Sequence, residues 1–176
     1  FAKAPREALD LAEKSAEVTH NHPEGIKGAQ TTALAVWLAK ERSSHASISH
    51  KTASFSGYDL SESVDSIRDW YAFDVSCQGT VPQAIRCALE AQDYEDAIRN
   101  AISIGGDSDT VACITGGIAE AMYGLPIQIM EKARSYLPEE MIEIVDRFME
   151  YEEWIEGHSV MGRCKREGLG NVLLGA

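Results

Sequence analysis

Gly105-Gly106-Asp107-Ser108-Asp109-Thr110 sets two carboxylates two residues apart, with a hydroxyl between them and another after. An oxygen-rich set of this kind suits a hard divalent cation. Magnesium wants near-octahedral oxygen coordination and uses only one or two protein carboxylates, leaving other positions to water and substrate. The glycines permit a tight backbone approach that a Cβ would block. An apolar helix pattern follows at once, so its first N–H groups aim at the same point and favour an anion such as phosphate. One short segment thus offers cation ligands beside an anion cradle. The same residue types also make a good helix N-cap, and that is the competing reading.

The following helix tilts the balance. Val111, Ile114, Ile118 and Met122 recur at steps of three and four, which gives one apolar face. Ala112, Cys113, Thr115, Gly116, Gly117, Ala119 and Ala121 keep the remainder small. Each interior glycine gives up about 0.8–1 kcal/mol of helix propensity relative to alanine. Two adjacent ones imply hard packing against neighbouring backbones, near the centre of a bundle. A capping box on a surface helix has no such need, so the site reading is ahead.

A second cluster is Thr19-His20-Asn21-His22-Pro23. Two imidazoles at i and i+2 could hold a soft cation, but no Cys or third His stands nearby to complete a zinc site. A polar helix C-terminus, where the dipole favours His, explains the same residues. Cys77-Gln78-Gly79 precedes a further helix, either as a loop fixing its entry or as an N-terminus facing a cleft. The three tryptophans, Trp37, Trp70 and Trp154, read as core or interface residues.

The elements that must position these groups are helical. Helix signals cover 5–18, 24–41, 60–71, 81–91, 94–103, 109–123, 126–136 and 138–154. Pro5 and Pro82 fall in first turns, Asp93 is an N-cap, and Gly124 with Pro126 marks a stop. Residues 42–58, rich in Ser and His, read as a mobile loop, and Phe73–Cys77 as a short extended piece. The acidic run 139–156 reads as the wet face of an amphipathic helix. Residues 157–176 show no clear period, and a disordered tail is expected there.

Composition sets the outer bounds. The 176 residues fit one domain, with 44% hydrophobic and 25% charged residues typical of a soluble globular protein. A formal net charge of −12 argues against nonspecific nucleic-acid binding, which needs Lys and Arg against phosphates. No apolar run reaches the roughly 20 residues of a membrane span. Cys77, Cys87, Cys113 and Cys164 lack C-x-x-C spacing. Cys87 and Cys113 fall among apolar neighbours in helical patterns, which suggests reduced, buried thiols and a cytoplasmic protein.

The stretch GGDSDTVACITGGIAEAMYG, from Gly105 to Gly124, resembles the C-terminal signature of the ADP-ribosylglycohydrolase family. That family includes the enzyme that removes ADP-ribose from dinitrogenase reductase. The similarity runs from about Ala8 to about Phe148. It takes in the Thr19–Pro23 cluster, the segment Val75-Ser76-Cys77-Gln78-Gly79-Thr80-Val81-Pro82, and Tyr94-Glu95-Asp96-Ala97-Ile98. The resemblance implies an all-α compact bundle around a centre of two Mg2+ ions, or Mn2+. It maps metal ligation onto Asp107, Asp109 and Thr110, which match the family's D-x-D-T. It implies substrate contacts from Gly105, Gly106 and Ser108 around the ribose, and from His20 and Asn21 to phosphate or ribose oxygens.

The implied reaction is hydrolysis of the glycosidic bond between ADP-ribose and a protein side chain, or a related conjugate. The family's Thr-Asp-Asp-Thr segment, with its remaining metal ligands and its acidic catalytic group, has no match here. Residues 1–156 therefore read as the C-terminal portion of one such domain, with the catalytic carboxylate expected on a missing N-terminal segment or partner chain. Two alternatives stay open: a binding-only or inactive fragment that retains metal or ADP-ribose affinity, and a helical scaffold.

Overall fold

The computed structural model describes residues 2–156, with side chains through residue 150. Among these residues nine α-helices form and no strand does. They are α1 (Pro5–Ala16), α2 (Pro23–Lys40), α3 (His45–Ser56), α4 (Val64–Trp70), α5 (Cys77–Glu90), α6 (Tyr94–Ser103), α7 (Ser108–Tyr123), α8 (Ile127–Arg134) and α9 (Glu139–Glu156). The all-α expectation holds. No helix among the described residues is long and apolar enough to cross a membrane.

The chain divides into two compact units, one of Ala2–Tyr123 and one that begins at Gly124. In the first, α7 packs against α2, α5 and α6, while α1 and α3 pack on α2 and α4 on α5. One apolar cluster joins Leu34, Ala35, Leu38, Ile48, Val81, Ile85 and Ile118. Another joins Val64, Ile67, Tyr71, Ala84, Cys87, Ala101, Ile104 and Val111. In the second unit, α8 and α9 are tied by an Arg134–Asp146 ion pair of 2.8 Å, and Met141, Ile144 and Phe148 are exposed. The expected tail, 157–176, lies outside the described residues.

Several expectations need correction. The supposed loop at 42–58 contains α3. Ser44 caps it by accepting from the Ser47 N–H, and Gly57 ends it in the left-handed conformation. Its polar residues misled the reading because they bury by bonding backwards: Thr52 Oγ1 donates to the Ile48 carbonyl at 2.7 Å, and Ser56 Oγ to the Thr52 carbonyl at 2.8 Å. Residues Phe73–Cys77 form no strand, and α5 starts at Cys77 rather than 81, so Pro82 sits inside the helix. Trp70 is exposed and donates its indole N–H to Glu62 at 2.7 Å, whereas Trp37 packs half-buried against the core. Trp154 has no described side chain.

The thiols divide likewise. Cys87 is buried, and burial pushes its thiol up to about 12. Cys113 is exposed, because it lies on the outer side of α7. Cys164 lies outside the described residues.

The two interior glycines of α7 also differ. Thr115 is fully buried and its hydroxyl donates to the Ala84 carbonyl at 3.0 Å, tying α7 to α5. Next to it, a Cβ on Gly116 would lie 3.2 Å from the Tyr94 hydroxyl and 3.3 Å from Ile98 Cδ1. Gly117 is exposed, with nothing within 4 Å of its virtual Cβ. Only the first serves close packing. Gly117→Ala should therefore stabilise the protein by about 0.5–1 kcal/mol, as helix propensity dictates. Gly116→Leu should destabilise it by about 1–3 kcal/mol through overpacking. Urea denaturation of both variants checks the contrast.

Candidate functional site

Six candidate residues are contiguous and span the loop between α6 and α7 and the first turn of α7. Ile104 ends α6 buried at 3% exposure, and Val111 is fully buried one turn into α7. Both belong to the cluster that contains Tyr71, so the loop between them is held at each end. Inside it the backbone turns through two successive left-handed residues, Gly105 at φ +76° and Gly106 at φ +66°. An L-residue pays roughly 1–2 kcal/mol for that conformation. Gly106 is pinned further. A Cβ there would lie 2.4 Å from Tyr71 Cε1 and 2.9 Å from the Ala72 carbonyl oxygen, while Gly105 faces open space.

The turn delivers Asp107 half-buried at the start of α7, its carbonyl accepting the Val111 N–H at 3.0 Å. Ser108 is half-buried, and Asp109 and Thr110 are exposed. The neighbouring Asp107 side chain and the Thr110 N–H, which donates to Asp109 Oδ1 at 3.0 Å, hold the Asp109 carboxyl below the ordinary range. Asp107 just before α7 and Asp109 on its first turn set two carboxylates at one helix entry. The helix dipole adds partial positive charge that tolerates them. Among the described residues no group of three His, Cys, Asp or Glu converges. The pair plus the Thr110 hydroxyl fits a magnesium-type ion, which takes few protein carboxylates.

His20 and Asn21 occupy the turn between α1 and α2, both exposed. The Thr19 hydroxyl and His20 Nδ1 are hydrogen-bonded at 2.8 Å. His22 Nδ1 accepts the Glu24 N–H at 3.2 Å and so caps α2. The imidazole pair is thus partly spent on local structure. Among the described residues no hydrogen bond or ion pair joins His20 or Asn21 to the 105–110 loop. Cys77, half-buried, opens α5.

Residues that sequence reasoning missed lie opposite the glycine turn. Asp74 Oδ1 accepts the Ser76 N–H at 2.7 Å, and the Ser76 side chain first and this N–H second hold the Asp74 carboxyl below its ordinary value. Its Oδ2 lies 1.9 Å from where a Cβ on Gly79 would be, so only glycine lets the carboxylate sit over the first turn of α5. Thr80, buried, donates to the Asp74 carbonyl at 3.0 Å. The Asp-x-Ser spacing of Asp74 and Ser76 was a legible turn signal. Tyr71 gave none, since its sequence surroundings suit any core aromatic.

Tyr71 links the two loops. Its phenol is raised first by burial and further by the charges of Asp74 and Asp107, with the Thr80 side chain acting the other way. The hydroxyl itself is buried and makes no bond of hydrogen-bond geometry.

A family model, ADP-ribosylglycohydrolase, matches residues 1–158, most of the chain. The chain belongs to the ADP-ribosylglycohydrolase family. No curated protein matches it. Membership agrees with the helical architecture, and it makes ADP-ribose conjugates the substrate class of a hydrolase.

Two outcomes follow from this geometry. Gly105→Ala should cost about 1–2 kcal/mol, and Gly106→Ala about 1–3 kcal/mol beyond that because it also meets the Tyr71 ring and a carbonyl. Denaturant midpoints measure the difference. Because Asp74 has a folded pKa below its unfolded one, its stabilisation is present above the unfolded pKa and fades as pH falls through the folded one. Asp74→Ala should therefore melt below the wild type at pH 7, with the gap closing in strong acid.

Proposed function

We propose that this protein hydrolyses the glycosidic bond joining ADP-ribose to a protein side chain or a related conjugate, at a centre of two magnesium or manganese ions. The observation that carries this reading is the pair of carboxylates at the entry to α7, Asp107 before it and Asp109 on its first turn, delivered by two left-handed glycines, the second closed to a Cβ. Asp107, Asp109 and the Thr110 hydroxyl are the ligands this chain offers. Water, substrate and groups outside the described residues complete the coordination. Bound divalent ions supply charge stabilisation and an activated water at neutral pH.

The chain's own groups then bind and orient. Scission of the bond leaves oxocarbenium character on the ribose carbon, so holding that centre in line with water gains rate. The Gly105 and Gly106 backbone and the Ser108 hydroxyl donate to ribose oxygens. The N-terminal end of α7 offsets negative charge locally, which an acidic protein needs when it meets a pyrophosphate. His20 and Asn21, exposed at the α1–α2 turn, donate to phosphate or ribose oxygens of the bound conjugate. The proton-transferring carboxylate is none of these residues.

Magnesium should raise the melting temperature of the wild type, by about 2.7 kcal/mol of stability at one hundred times the dissociation constant. Asp107→Ala and Asp109→Ala should lose that response. Mass spectrometry of an ADP-ribosylated protein incubated with magnesium and this chain joined to the segment that carries the catalytic carboxylate should show release of ADP-ribose. Magnesium stabilisation without release would leave a binding-only protein. No stabilisation at all, or full stabilisation in either variant, would refute the ligand assignment.

A further inference from the structure

A cavity of about 270 Å³ opens beside α4 and α5, outside the 105–110 loop. Drug-sized ligands fill about 300–1,000 Å³, so this space suits one flat ring system. The Trp70 indole forms a wall, 54% exposed and yet fixed in place. Its N–H donates to Glu62 Oε2 at 2.7 Å, and the Tyr71 ring meets it edge-on with centroids 6.0 Å apart. The Glu62 carbonyl also accepts Arg86 Nε at 2.8 Å, so one residue anchors both the indole and a guanidinium. An aromatic ring held still and left open to solvent is a platform for stacking.

The same cavity holds polar groups with bonds to spare. Gln83 lines it at 9% exposure, and no hydrogen bond among the described residues involves its carboxamide. Buried polar side chains nearly always have partners, and this one offers a donor and an acceptor side by side. Arg86 spends Nε on Glu62 and Nη2 on Glu90 at 2.6 Å, which leaves Nη1 to donate. Asp59 and Glu62 bring exposed carboxylates to the lining. The charges select as the shape does. Arg86 disfavours a cation, whereas the two carboxylates and a net charge of −12 disfavour a phosphate or a nucleic acid. A neutral ring remains, with acceptors for Arg86 and Gln83 and N–H groups for the carboxylates. Guanine has both, since its O6 and N7 accept while its ring N–H and amino group donate. Adenine puts an amino donor where guanine has O6.

We propose that this cavity is a second binding site, for the base of a free guanine nucleoside stacked on Trp70 and hydrogen-bonded by Gln83 and Arg86. It uses none of the residues assigned to the metal or to the ribose, and it needs no divalent ion. Its failure would therefore leave the proposed hydrolase reading untouched.

The test is isothermal calorimetry of the full chain with guanosine and with adenosine, in the absence of magnesium. Guanosine should bind about 5–150-fold more tightly than adenosine, the discrimination that one good pair of hydrogen bonds gives. Trp70→Ala should weaken guanosine binding about 5–150-fold through lost stacking, with little change in melting temperature because the indole is exposed. Gln83→Met, close in shape, should weaken it as well, and it carries the test should Trp70→Ala melt early. Phe73→Ala removes an exposed aromatic outside the cavity and should change nothing. A wild type that takes up no guanosine overturns the proposal, and so does equal affinity for adenosine. Binding unchanged in both Trp70→Ala and Gln83→Met, or lost equally in Phe73→Ala, overturns it too. Tighter binding of a guanine-containing single strand than of guanosine would overturn the nucleoside assignment.

Discussion

The site depends on the contact between the Tyr71 ring and the bare α-carbon of Gly106. An aromatic edge occupies volume that every other residue type at position 106 would claim. That volume is available because the chain passes through two left-handed conformations in a row. Ile104 and Val111, buried in the same cluster as Tyr71, fix where the loop leaves α6 and where α7 begins. The directions of Asp107 and Asp109 follow from those three anchors. Packing of an apolar core thus sets the position of two polar groups.

A second constraint is electrostatic. The chain carries a formal charge of −12, and the substrate class of its family carries a pyrophosphate. Long-range attraction cannot assemble such a complex, so positive potential has to be local and short-ranged. The first turn of α7 supplies partial charge, and on the proposed function the two acids supply a place for ions of the opposite sign. The same pair lowers the Asp109 pKa through its contact with Asp107.

Much of this was legible in the residues, for identifiable reasons. GGDSDT followed by a small-residue helix marked the turn, the helix start and the carboxylate pair, because each rests on local backbone chemistry. α6 was legible through its Asp93 cap, where the side chain accepts the Asp96 N–H as the spacing implies. α3 was hidden because Thr52 and Ser56 satisfy their hydroxyls inside the helix, so polarity did not signal exposure. The early start of α5 was hidden by Pro82 and revealed only by the Asp74 and Ser76 caps. Tyr71 was illegible for a different reason. Its role is a long-range contact with Gly106, and no local pattern encodes which aromatic a distant glycine will meet.

On the proposed function these two acids, placed by the Tyr71–Gly106 contact, grip a divalent ion. Anomalous diffraction at the manganese edge, from crystals grown with manganese, tests it most directly. The expected result is an anomalous peak against the carboxylates of Asp107 and Asp109, with the Thr110 hydroxyl beside it. Strong manganese peaks elsewhere, with both carboxylates still facing each other and no metal between them, would contradict it.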